Sequence, residues 1–289
     1  MARTIKAWTT ATALLLAALP GGAGRVWAAG EGVHIDRQHW TFSGLLGKFD
    51  DAQLQRGFKV YVEVCARCHS VKRLYFRNLV QPGGPTFPEA AVKSLAANNY
   101  QVDDAPDEQG KINKRPATLA DNFPSPFPNE QAARYATNGA LPPDLSLMAR
   151  ARGIDAGTPF YRLPDTMLRD ILAGYQEAGA DYIYAYLRGY ADPPAGVKMA
   201  EFMNYNMAFS GHQTAMANPF IAGDGLVKYD DNTPATVDNY ARDVTAFLSW
   251  VADPTLEERK RTGLLVLGYL VITAVLFGFA KRRIWSSVH

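Results

Sequence analysis

The chain has 289 residues, of which 47% are hydrophobic and 20% charged, a balance that excludes a disordered or fibrous protein and leaves room for one large domain or two ordinary ones. Its two cysteines, Cys65 and Cys68, exclude a disulfide framework if both are used elsewhere. The formal charge of +2 is a sum over segments that belong to different compartments.

Arg3 and Lys6 precede a short apolar run, Ala11 to Leu19, which Pro20, Gly21 and Gly22 interrupt. Val26-Trp27-Ala28 offers small residues at cleavage spacing, so residues 1–28 are predicted to be an export signal cut after Ala28. The run is too short to span a hydrocarbon layer of roughly 30 Å. It fits Gram-negative export better than a mitochondrial transit peptide.

Residues 29–48 read as an extended lead-in with Trp40 and Phe42 as anchors. Asp50, three residues before Gln53 and preceded by Phe49, predicts a helix start with a capping box. Leu54, Phe58, Tyr61, Cys65 and Cys68 follow along one helical face, so this helix is expected to end at the cysteines. Residues 81–131, rich in Pro, Gly, Asn and charge, predict long loops with at most short helices. The acidic group Asp103, Asp104, Asp107 and Glu108 reads there as a solvated loop, with partner docking as the alternative. Asn138-Gly-Ala-Leu-Pro-Pro143 predicts a rigid irregular turn.

Residues 153–180 carry a modest helical pattern, and 192–235 form a second loop region holding most of the methionines. Thr233 and Pro234 suggest the start of a helix through Val237, Tyr240, Val244, Phe247 and Val251, ended by Asp253-Pro254. Neither repeats nor strongly alternating strands are evident.

Thr262 to Ala280 is uncharged over 19 residues, about 28 Å of helix, between Arg259-Lys260-Arg261 and Lys281-Arg282-Arg283. This predicts a single transmembrane anchor, 259–283 with its basic flanks, and a tail, 284–289. Basic residues on both sides make their count uninformative for orientation. The export signal instead places the body, 29–258, outside and the tail in the cytoplasm. Removing Arg3, Lys6, Arg25 and the six flanking cations leaves that body 21 basic residues against all 28 acidic ones, a net charge of about −7. Such a surface repels nucleic acid and favours a basic protein partner, with simple solubility as the alternative that composition leaves open.

The chemistry-bearing string is Cys65-Ala66-Arg67-Cys68-His69. Two thiols three positions apart can each add to one haem vinyl group, and the adjacent imidazole can reach the iron. Further Cys or His at short spacing, which a zinc site needs, are lacking, as is a strand–helix frame for a thioredoxin-like pair. One covalent haem c, through Cys65 and Cys68, is therefore expected, with His69 as one iron ligand. For the other side, Met148, Met167, Met199, Met203, Met207 and Met216 remain. Met148 reads as core filling, and Met199, Met203 and Met207 share a helical spacing that suggests packing. Met216, in the Gly- and Pro-bounded loop Gly211 to Pro219, is the best placed. His212 is the rival, and spacing alone leaves the choice open.

Three strings resemble the cytochrome c1 family, the haem subunit of the quinol–cytochrome c reductase (bc1) complex, in a bacterial form. They are Arg56 to His69, Asn138 to Ser146, and Asp231 to Thr236, and the basic triplet before one C-terminal anchor fits as well. The likeness runs from about Trp40 to Trp285. It implies a mainly α fold: a class I cytochrome c-like haem domain with long loops plus one C-terminal transmembrane helix. It also implies Met216 as the second iron ligand, Asn138 and Pro143 lining the haem pocket, Arg152 near a propionate, and Tyr182 beside the haem. Arg150 is close enough to keep the arginine assignment open. The stretch 153–180 is longer than in mitochondrial members.

The function so implied is that of an electron carrier, not an enzyme by itself. It would accept electrons from a Rieske iron–sulfur subunit and pass them to a soluble or tethered cytochrome c. Cytochrome b would be a further partner within a dimeric complex. The location would be a bacterial inner membrane, crossed once, with the haem domain in the periplasm. A terminal-oxidase haem subunit is disfavoured by the quoted strings. A membrane-tethered peroxidase would need an open iron position, with His212 as its acid–base group.

Overall fold

The computed structural model describes residue 33, residues 35–152, residue 164 and residues 178–286. The expected signal and nearly all of the 153–180 stretch, Met167 included, lie outside the described residues. The described elements belong to the unit Gly32–His289.

Helix α1, Asp51–Glu63, begins where expected, with the Asp50 carboxylate accepting from the backbone N–H of Ala52 (3.0 Å) and Gln53 (3.3 Å). The capping box does not close. The Gln53 side chain instead donates to Asp243, 190 residues away, at 3.1 Å. Leu54, Phe58 and Tyr61 are buried, as their spacing predicts.

Helix α2, Glu89–Asn99, and the antiparallel hairpin β1, Gln101–Pro106, with β2, Ile112–Pro116, correct the reading of 81–131 as mostly loop. The hairpin escapes a search for alternation because both faces are largely solvent-exposed. Its acidic residues are largely engaged at home. Asp103 pairs with Lys114, Asp104 with Arg115 at 3.5 Å, and Asp107 accepts from the N–H groups of Gln109 and Lys111.

Two short helices follow, α3 (Glu130–Ala136) and α4 (Met148–Ala151). Between them Asn138 and Gly139 take φ of +52° and +87°, the sharp turn expected there. Helix α5 is Ala178–Arg188. The two-residue strands β3, Asn204–Tyr205, and β4, Gln213–Thr214, pair antiparallel. Met199, Met203 and Met207 are therefore not on a helix, and Met203 and Met207 are exposed rather than packed. Pro193, Pro194 and Gly196 break the run ahead of them, and Phe202 sits at φ +60°.

Helix α6, Val237–Ala252, starts three residues later than expected. Thr236, not Thr233, caps it by accepting from Asn239 N–H at 3.3 Å. The Thr233 N–H is spent on Asp231 in a separate turn. Tyr240, Val244, Phe247 and Val251 are buried as predicted, and Asp253 ends the helix. Helices α1, α4 and α5 all pack on α6. At Gly57 the approach to α6 is so close that a Cβ would lie 2.1 Å from the Asp243 carbonyl oxygen. Around the crossing, the Phe58 and Tyr61 rings pack tilted against Phe247 at 5.6 and 5.7 Å. Arg56 bridges Asp243 and Asp231, both at 2.9 Å.

The lead-in is anchored as expected. Trp40 is buried, stacks on Phe42 at 5.5 Å, and donates its indole N–H to Asp181 at 2.7 Å. Helix α7, Leu256–Trp285, has 30 residues and contains the uncharged run, its apolar side chains exposed within this chain. By length and composition it can cross a membrane.

Candidate functional site

Helix α1 stops at Glu63, two residues before the cysteines, and a 3₁₀ turn, Cys65–Arg67, carries the chain on. The turn is closed by N–H groups of Cys68 (3.1 Å) and His69 (2.9 Å), both bound to the Cys65 carbonyl. Cys65 is buried among the core side chains, whereas Cys68 is exposed. Burial, joined by the neighbouring Cys68, pushes the Cys65 thiol up to about 12. A thiol so placed is protonated at neutral pH, which argues against its serving as a thiolate metal ligand.

His69 is 8% exposed, and its Nδ1 lies 2.8 Å from the Pro143 carbonyl oxygen. That oxygen can only accept, so Nδ1 carries the proton and Nε2 keeps its lone pair. Burial lowers the imidazole pKa, opposed by the Pro143 carbonyl and by Asp144. The ring is thus held in the neutral tautomer a metal ligand requires. Tyr61 donates to the His69 carbonyl at 3.2 Å.

Asp144 fixes where the Pro143 carbonyl stands. Its carboxylate accepts from Ser70 Oγ (2.8 Å), Lys72 N–H (2.9 Å) and Ser146 N–H (3.0 Å), while Leu145 N–H donates to the Ser70 carbonyl at 2.8 Å. Segments 69–73 and 143–146 are thereby clamped together. Burial alone would raise this carboxyl, but hydrogen bonds from Lys72, Ser146 and Ser70 hold it below the usual carboxylate range.

Met216 is half-buried and packs against the core that contains Cys65. Its carbonyl accepts from Tyr190 at 3.1 Å and its N–H donates to Thr214 Oγ1 at 3.3 Å. Thr214 is buried and pairs with the Tyr186 hydroxyl at 2.6 Å. Tyr182, Tyr186 and Tyr190 recur every four residues from α5 onward, neighbouring rings standing 6.0 and 5.8 Å apart. This tyrosine row braces the Met216 loop from one side. His212, at φ +57°, stacks on Tyr205 at 5.5 Å with Nδ1 3.2 Å from the Asn206 carbonyl, so it is built into the β3–β4 hairpin.

Tyr182 is half-buried against the core, and burial pushes its phenol up, opposed by the positive charge of Arg152. The two come together because Gly179 lets α5 approach α4, where a Cβ would stand 2.5 Å from the Arg152 carbonyl. Arg152 is exposed, whereas Arg150 binds Asp253 at 2.9 Å, at the α6–α7 joint. Asn138 is exposed and connects to Pro143 through the turn 139–142.

Asp144, Thr214, Tyr186, Tyr190 and Tyr61 escaped the sequence reading as site residues. Only the four-residue recurrence of the tyrosines could have flagged any of them.

A mainly helical domain whose thiols, neutral imidazole and methionine loop share this frame is of the c-type cytochrome class, plus one membrane-compatible helix. The donor set fits a covalent haem c attached through Cys65 and Cys68. Residues 40–288 match the model of the Cytochrome C1 family, and the chain belongs to that family. Similar proteins include cytochrome c1 of Blastochloris viridis, 43% identical over 90% of this chain and 89% of the relative. The mitochondrial cytochrome c1 haem protein of Saccharomyces cerevisiae is 41% identical over 90% of this chain and 75% of its own length. The cytochrome b/c1 of Bradyrhizobium diazoefficiens is 47% identical over 86% of this chain, which spans 35% of that longer protein. The chain is a haem-carrying electron-transfer subunit and not an enzyme by itself.

Proposed function

We propose that this chain relays single electrons from a Rieske iron–sulfur subunit to a soluble or tethered cytochrome c, within a dimeric bc1 complex that also contains cytochrome b. The observation that carries this reading is the clamp on His69, a buried imidazole locked by Pro143, beside a braced methionine loop that packs on the core containing Cys65. His69 and Met216 would hold the iron from its two sides, and a thioether there stabilises reduced iron and raises the potential. Bound haem c supplies the one-electron couple. His212 is tied into the β3–β4 hairpin, which argues for Met216 over its rival. Arg150 is engaged by Asp253, which leaves Arg152 as the residue to meet a propionate, beside Tyr182. Asn138 and Pro143 would line the pocket.

In this reading residues 1–28 are removed on export and the haem domain, 29–258, faces the periplasm of a bacterial inner membrane. Residues 259–283 anchor it, and 284–289 stay in the cytoplasm. The export motif and the length of α7 support this arrangement.

The test is anaerobic stopped-flow mixing of the reduced protein with a basic ferricytochrome c. One-electron oxidation is expected, slowing as salt rises because the body carries about −7. Failure to transfer, together with turnover on peroxide, would establish the peroxidase reading instead.

A further inference from the structure

The lead-in holds a feature that the relay does not use. Leu45 and Leu46 stand at the tip of a tight loop and are 54% and 80% exposed. Isolated exposed leucines are ordinary on a protein surface. These two differ in where they are held. Lys260, in α7, donates its ammonium to the Phe42 carbonyl at 2.6 Å and to the Gly47 carbonyl at 3.2 Å, gripping both ends of the loop. Phe49 N–H donates to Glu257, one helical turn earlier, at 2.9 Å. Within the loop, Ser43 N–H binds the Trp40 carbonyl and Lys48 N–H the Thr41 carbonyl. Gly47 has no room for a side chain, since a Cβ would fall 1.9 Å from the Ser43 carbonyl oxygen.

The grip sets the loop's depth along α7. Lys260 lies two residues before Thr262, the start of the uncharged run, or about 3 Å of helix rise. Leu264 and Leu265, the first leucines of that run, are themselves exposed. A cleft between loop and helix is lined by Phe42, Leu45, Phe49 and Leu256 together with Arg259 and Lys260. Apolar tips held level with the basic start of a spanning helix form the pattern of a segment seated at the acyl–headgroup boundary.

We propose that loop 42–47 is a second membrane contact, with Leu45 and Leu46 inserted into the leaflet that α7 enters first. Two attachment points, one spanning and one interfacial, would restrict tilting of the haem domain about the top of α7. The inference rests on the reading of α7 as a membrane span.

The test places the photo-crosslinking residue benzoylphenylalanine at Leu46 of the full chain, assembled in native membranes. After irradiation the chain's mass is read. A phospholipid adduct is expected at Leu46, with background only at Tyr135, which is 93% exposed on α3. A cross-link to another polypeptide would show that a protein covers the loop, and no adduct would show that water does. Either result overturns the proposal, as does an equal lipid adduct at Tyr135. Alkaline carbonate extraction separates the two readings. Release of the chain sinks the membrane span itself. Retention without a lipid adduct at Leu46 sinks only the loop.

Discussion

Asp144 shows how one carboxylate can govern a ligand it does not touch. It holds Ser70 and Lys72 on one segment and Ser146 on another, and those segments carry His69 and the Pro143 carbonyl. Asp144→Asn keeps the shape but removes the charge and turns an amide NH₂ toward at least one of the three donors, so a loss of about 1–3 kcal/mol is expected near neutral pH. The sign of its pH dependence follows from the depressed pKa. The stabilisation is fully present above the unfolded-state carboxylate value and disappears as pH falls through the lower folded value. Denaturant unfolding of both proteins from pH 7 down to below 4 should therefore give a gap that is widest at neutral pH and closes in acid. A gap independent of pH would mean that the charge is irrelevant. His69 itself was legible because its neighbours in sequence identify it. Asp144 was not, because its role exists only when residues more than seventy positions apart meet.

Among the elements, the α1–α6 crossing sets the frame for the haem motif. Gly57 permits it, with a Cβ there meeting the Asp243 carbonyl at 2.1 Å. Gly57→Ala should force the helices apart, at a cost of about 1–3 kcal/mol or more. The loss would appear in the thermal unfolding midpoint followed at the haem absorbance. An unchanged midpoint would refute the tight crossing. The two helices were legible because their apolar residues repeat at helical spacing. Local signals reach only so far. Asp50 caps α1 as its neighbours predict, yet Gln53 abandons the capping box for Asp243, a partner that only tertiary packing supplies. The β1–β2 hairpin gave no alternating signal because neither of its faces is buried. At α6, Thr233 and Thr236 compete for the cap. The Asp231 turn, which engages the Thr233 hydroxyl as well as its N–H, decides between them.

For the molecule as a whole, the division of labour follows the charge and hydropathy of its segments. An acidic, loop-rich haem domain is joined at Asp253 to one long apolar helix, and Arg150 and Arg259 both reach that aspartate across the joint. The relay reading depends on what stands opposite His69 once haem c is bound. A redox titration, monitored optically, of the full-length holoprotein and its Met216→Leu variant tests this most directly. Ligation by Met216 predicts a low-spin haem of high potential, falling by on the order of hundreds of millivolts in the variant, whose ferrous form then binds carbon monoxide. A potential that is already low and indifferent to Met216, or wild-type ferrous protein that binds carbon monoxide readily, would contradict the relay.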